Sequence, residues 1–159
     1  MEIKKASIHH HFPTKEDLIN ALLNRYISKF NESLKDIVNS KIKAKSKLQK
    51  FMSLFSDTLE DGCNDKTCLC GMLAAELLSL TDESSGLVKD FLNISQATIQ
   101  QILKEGQEDS SFKFKGNPKT MSELILSTLE GGLFLSRVDG GPEKFKKIIR
   151  QIDKIVTRS

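Results

Sequence analysis

The chain has no tryptophan, a single tyrosine, three prolines and three cysteines in 159 residues. Few prolines leave long stretches free to be helical and disfavour a turn-rich β-sandwich. An odd number of cysteines argues against a secreted disulfide framework and for a reducing cytoplasm. No apolar run is long enough to span a bilayer and no signal peptide opens the chain, so no membrane partner is expected. Also missing are a Ser-His-Asp order, a phosphate-cradling glycine loop and a usefully spaced pair of carboxylates, so an enzyme is not expected. No cofactor is implied.

What is present is ordinary for a globular domain: 38% hydrophobic and 28% charged residues. One domain of this length buries roughly two-thirds of its unfolded surface and needs no metal or disulfide staple. The net charge of +3 is unevenly spread. Residues 1–50 carry eleven Lys/Arg against five Asp/Glu, and residues 51–159 thirteen against sixteen. A basic amino end on a mildly acidic body suits a nucleic-acid-binding end joined to another module, and equally a solvated lysine-rich helix face.

Apolar residues recur at helical spacing almost throughout. Thr14 and Asp17 form a capping pair that starts a long amphipathic helix carrying Leu18, Leu22, Tyr26, Phe30, Leu34 and Ile37, reaching about residue 42. The lysine-rich stretch 41–47 is the one candidate linker. A second helix follows from Leu48 to Leu59, stopped by Gly62, and a third runs from Leu69 to Leu80. Residues 81–85 break it. The fourth helix ends at Gly106, and the polar stretch 107–117 is expected to be mobile. Asn117-Pro118 opens a fifth helix to about Val138. After a Gly140-Gly141-Pro142 turn, Phe145, Ile148, Ile149, Ile152, Ile155 and Val156 make a closing amphipathic helix.

Residues 3–18 read I-K-K-A-S-I-H-H-H-F-P-T-K-E-D-L. This segment resembles the recognition-helix signature of the tetracycline-repressor (TetR) family of bacterial transcriptional regulators. There a short helix of the form V-S-K-G-S-[IL]-Y-x-H-F precedes [PKS]-[STN]-K-E-x-L at the start of a long connecting helix. Ile3, Lys5, Ser7, Ile8, His11, Phe12, Lys15, Glu16 and Leu18 match. The resemblance implies an all-α fold: a helix-turn-helix remnant, with its recognition helix at about residues 4–12, followed by a helical ligand-binding and dimerisation bundle. It divides the chain into a partial DNA-binding segment with connecting helix, residues 1–42, and an effector-binding and dimerisation domain, residues 43–159. Lys5, Ala6 and Ser7 then lie at the base-reading end, and His9, His10 and Lys15 meet the DNA backbone. His9 stands where the family usually has Tyr. Ile8 and Phe12, four residues apart, would pack the short helix onto its own domain, with His11 turned inward. Adjacent helical residues diverge by about 100°, so the three histidines cannot share one metal ion, and no metal site is expected.

In the family, two bracing helices precede this segment, on the order of 30 residues by average helix length. The chain starts at Met1. The expectation is therefore a start assigned too far downstream, or a truncated gene.

Cys63, Cys68 and Cys70 form the other site-like grouping. Three readings stay open: a thiol sensor, with Cys68 activated by a helix amino terminus; a soft-metal thiolate set; and buried packing. The helices between residues 48 and 106 would wall an effector cavity, with Phe55, Met72, Glu76, Phe91 and Ile94 as lining; a core made of the same side chains is the alternative. Residues 119–157 resemble the family's dimerisation pair, and Gly131-Gly132 within them suggests a close helix approach. The function expected is a ligand-responsive homodimeric regulator, a repressor, with operator DNA and a small-molecule effector as partners. The alternative is a truncated dimeric helical ligand-binding protein without specific DNA binding.

Overall fold

The structure, a computed structural model, describes residues 10–60 and 67–157. Among these residues the fold is all-helical: α1 (Lys15–Asn39), α2 (Ala44–Glu60), α3 (Leu69–Ala75), a 3-10 turn (Leu77–Ser79), α4 (Asp82–Glu108), α5 (Pro118–Val138) and α6 (Gly141–Thr157). None of them is long and apolar enough to cross a membrane.

Local chemistry sets the helix starts. At α1 the Asp17 amide donates to Thr14 Oγ1 at 3.1 Å while the Thr14 amide donates to Asp17 Oδ2 at 3.0 Å, a reciprocal capping box. At α4 Thr81 Oγ1 accepts from the Ser84 amide. Asn117 Oδ1 accepts from the Thr120 amide at 2.8 Å, with Pro118 in the first turn of α5. Each cap satisfies a backbone donor that would otherwise lack a partner.

The long helix α4 is the hub, touching α1, α2, α3 and α5, while α6 lies across α2 and α5. Leu23, Phe30, Leu34 and Ile37 of α1 are buried against it, so the connecting helix is part of the core. Phe30 sits amid aromatic rings, with centroids 4.8 Å from Phe91, 6.1 Å from Phe55 and 6.3 Å from Phe51. Edge-on and tilted rings at such spacings add about 0.5–1.5 kcal/mol per pair beyond area burial.

Three boundaries differ from those expected. The second helix begins at Ala44, inside the lysine-rich stretch, because Lys47 turns inward: its Nζ donates to the Val38 carbonyl and to Glu105 Oε2, each at 2.8 Å. The third helix ends at Ala75 and gives way to the 3-10 turn, and the fourth starts directly after Thr81. Residues 107–117 are pinned rather than loose. α4 runs on to Glu108, and the Phe112 ring lies against Gly106, where a β-carbon would collide with it. The Phe112 amide donates to the Gly106 carbonyl at 2.9 Å and the Lys113 amide to the Val156 carbonyl at 2.8 Å, tying this segment to α6.

Candidate functional site

A buried polar cluster is built where α1, α3 and α5 meet. Cys68 caps α3 with its sulfur, Sγ accepting the Gly71 amide at 3.3 Å. From α1, the Tyr26 hydroxyl donates to the same sulfur at 3.5 Å. Glu130, from α5, lays its carboxyl over Gly71, in the space that a β-carbon there would fill. Glycine at 71 is thus what admits the acid. Cys70 is buried beside them.

Burial dominates the electrostatics. It pushes the Cys68 thiol up to about 12, assisted by the negative field of Glu130 and opposed by the bonds from Tyr26 and Gly71. The expectation that the helix terminus activates this thiol is therefore offset: the helix end does donate to sulfur, but desolvation of a thiolate costs more. Burial likewise raises Tyr26 and Cys70, with further upward pushes from Cys68. It also raises Glu130, against a lowering bond with Cys68. Burial favours the protonated form of each of the four groups.

The cluster joins Cys68 and Cys70 from the sequence reading to Tyr26 and Glu130, which that reading did not select. Tyr26 is the single tyrosine, and Glu130 the single acid between Glu123 and Asp139 in an otherwise apolar stretch. That isolation was the available signal. Cys63 lies outside the described residues. Among those described, no group of three or more His, Cys, Asp or Glu is arranged to hold a metal ion.

The five residues selected for an effector cavity differ in exposure. Phe55 and Phe91 are buried with Phe30. Met72 and Ile94 are each 42% exposed. Glu76, at the end of α3, is exposed and lines a groove of about 190 Å³ with Lys15, Leu73 and Ser84 near the start of α1. Of the DNA-facing set, Lys5, Ala6, Ser7 and His9 lie outside the described residues, as does Ile8. His10 and Lys15 are exposed, on either side of the turn that ends in the Thr14 cap. His11 is exposed instead of turned inward, its ring edge-on to His10 at 5.4 Å, and Phe12 is half-buried.

The two consecutive glycines of α5 face different surroundings. A β-carbon on Gly132 would lie 3.0 Å from Ile148 of α6, whereas one on Gly131 would meet nothing within 4 Å. On the open side with Gly131 are Leu124, Leu135 and Val138, the last two 61% and 86% exposed. An apolar groove of about 240 Å³ lies between α5 and α6, lined by Leu124, Thr128, Ile148 and Ile155 among others.

Residues 44–152 match the family model of the tetracyclin repressor-like C-terminal domain. The HTH-type transcriptional repressor NemR of Escherichia coli (strain K12) is 21% identical over 158 residues, covering 98% of this chain and 78% of that protein. A TetR transcriptional regulator from Legionella pneumophila superposes with a TM-score of 0.80 at 30% identity, covering 97% of this chain and 80% of that one. A TetR-family transcriptional regulator from Agrobacterium tumefaciens gives a TM-score of 0.88 at 22% identity, covering 98% and 82%.

Proposed function

Because the chain belongs to the TetR family of transcriptional regulators, we propose that it acts in the cytoplasm as a homodimeric, effector-responsive repressor of operator DNA. It is a regulator and not an enzyme, as its family and its repressor relatives are. The observation that carries the dimer is the outward face of α5. Leu124, Gly131, Leu135 and Val138 form an apolar strip with a residue of no side chain at its middle, continuous with the groove against α6. Two copies related by a two-fold axis would bury that strip as a four-helix bundle.

In this reading residues 1–42 carry the DNA contacts and residues 43–159 the effector and dimer functions. Lys5, Ala6 and Ser7 read bases, while His9, His10 and Lys15 meet phosphates. An effector in the body shifts the balance between two spacings of the paired recognition helices. The connecting helix can carry that shift because Asn20 ties it to the start of α4: Ser84 Oγ donates to Asn20 Oδ1 at 2.5 Å, and Asn20 Nδ2 donates to Glu83 Oε2 at 2.9 Å.

Fluorescence anisotropy on DNA from upstream of the chain's own gene, against random DNA at physiological salt, tests the reading. Sequence-selective, dimeric binding is expected. Lys15→Ala should then weaken binding to all sequences alike, and Ser7→Ala should change the preference among them. A dimer that binds small molecules but never discriminates DNA would leave the ligand-binding protein without operator recognition.

A further inference from the structure

Two connections that take no part in the sites above meet at one end of the bundle. The α1–α2 connection reads Lys41-Ile42-Lys43 and runs into Ala44-Lys45, and the α4–α5 connection contains Phe112-Lys113-Phe114-Lys115. Contacts bring both to the end of α6. The Ala44 amide donates to Asp109 Oδ2 at 3.2 Å, Lys45 pairs with Asp153 at 3.7 Å, and the Lys113 amide donates to the Val156 carbonyl at 2.8 Å.

In both connections the side chains alternate. Ala44 and Phe112 are buried and Ile42 and Phe114 half-buried, while Lys41, Lys43, Lys45, Lys113 and Lys115 are exposed. Successive side chains of an extended backbone point to opposite sides, so burying the apolar members turns the lysines between them outwards. Residues 41–47, 105–115 and 153–157 hold seven lysines against four acids, a surplus of three that equals the net charge of the whole chain. Three of the acids are occupied: Glu105 by Lys47, Asp153 by Lys45, and Asp109 by the amides of Ala44 and Ser111. Lys41, Lys113, Lys115 and Lys154 have no ion-pair partner among the described residues.

What these segments lack selects the partner. They hold no arginine and no exposed aromatic ring, so the anchors of a protein interface are missing. For the same reason there is no platform on which unpaired bases could stack. Their one exposed large apolar side chain, Ile155, lines the α5–α6 groove, which leaves nothing to enter a lipid layer. Lysine is a point charge on a flexible stem and meets phosphates without fixed geometry. A duplex, with one negative charge per about 1.7 Å of axis, suits such a surface best.

We propose that this end is a second, sequence-indifferent surface for duplex DNA. Lys15 opens α1 and Asn39 closes it, about 36 Å away at 1.5 Å per residue. A duplex at this end is therefore a different stretch from one at the recognition end, and the chain holds two stretches at once. This goes beyond the repressor reading and needs no operator selectivity, because every phosphate backbone offers the same charges.

The test uses the full chain and a random-sequence duplex, with the fourfold variant Lys41→Gln, Lys43→Gln, Lys113→Gln, Lys115→Gln and circular dichroism to verify its fold. Anisotropy should show binding weakened by about fivefold or more, and a salt slope lower by about 0.9 for each lysine that meets a phosphate. A duplex on beads should capture a second, fluorescent duplex through the parent protein and not through this variant. The matching fourfold arginine variant, which keeps the charges, should bind and bridge as the parent does. Undiminished duplex binding by the glutamine variant, equal losses in both variants, or a parent that captures no second duplex overturns the inference. So does binding to single strands, polyglutamate or phosphatidylserine vesicles that is as tight as to the duplex and as dependent on these lysines. Operator selectivity of the parent is read separately: its absence would fail the repressor reading and leave the bridging of random duplexes standing.

Discussion

Lys47 and Glu105 form an ion pair at 2.8 Å in which the lysine side chain is only 9% exposed. The same ammonium also reaches the Val38 carbonyl in the last turn of α1, so one side chain joins α1, α2 and α4. A cation near the carbonyl end of a helix is favourably placed. Lys47→Ala strands these acceptors, and should cost about 2–3 kcal/mol, below the value for a fully buried pair because Glu105 can turn to water. Urea denaturation of Lys47→Ala, Glu105→Gln and the double variant checks this. The double variant should lose less than the two single losses combined.

The two glycines of α5 should respond in opposite ways. Gly132→Val forces a side chain against Ile148 and Phe145 within the subunit, and should destabilise folding by about 1–3 kcal/mol. Gly131→Leu meets open space in the subunit, so thermal stability of the monomer should hold while the dimer weakens. Analytical ultracentrifugation across a concentration series reads the difference. A Gly131→Leu protein with undiminished association would remove that strip from the interface.

Glu130 gives stability a definite pH slope. The carboxyl is raised from its ordinary value near 4.5 in the folded state. As pH climbs past that value, the unfolded chain releases its proton while the folded chain keeps it, so this group makes stability fall. The fall ends once the folded carboxyl ionises as well. Glu130→Gln should therefore be more stable than the parent above the ordinary carboxylate range, with the gap widening as pH rises. Unfolding temperatures of both proteins from pH 4.5 to 8 give the comparison; parallel curves would contradict a raised, buried acid.

Cys68 should be slow to react. Its thiol is pushed up to about 12 and its side chain is buried, so the thiolate is scarce at neutral pH. Iodoacetamide labelling read residue by residue in a mass spectrometer should leave Cys68 and Cys70 unmodified until denaturant is added. Rapid native alkylation of Cys68 would restore the sensor reading.

Much of the architecture was legible because it is written locally. Thr14 with Asp17, and Asn117 with Pro118, announce helix starts through nearest-neighbour chemistry, and apolar spacing marks the faces that become core. The pinning of residues 107–117 was not legible. It depends on Phe112 finding Gly106 and Val156, partners that polar local composition conceals. The choice among the three thiol readings was not legible for a related reason: a helix terminus is visible in sequence, but the burial that outweighs it is set by how other helices pack over Cys68. Glu130 itself lies in an apolar run, where periodicity tells which residues turn inward but not what they meet there.

The order Glu130-Gly131-Gly132 also fixes how α5 tolerates changes in length. Each residue advances a helix by about 100°, and these three successive positions serve three different neighbours. Inserting one residue just before Glu130 would turn its carboxyl towards the open strip and put a different residue over Gly71. One deletion there would bring Leu133 beneath Ile148. Single-residue insertions or deletions should therefore be purged from this helix while side-chain substitutions persist. Changes in length would accumulate in the connections between helices, where no angular register is at stake.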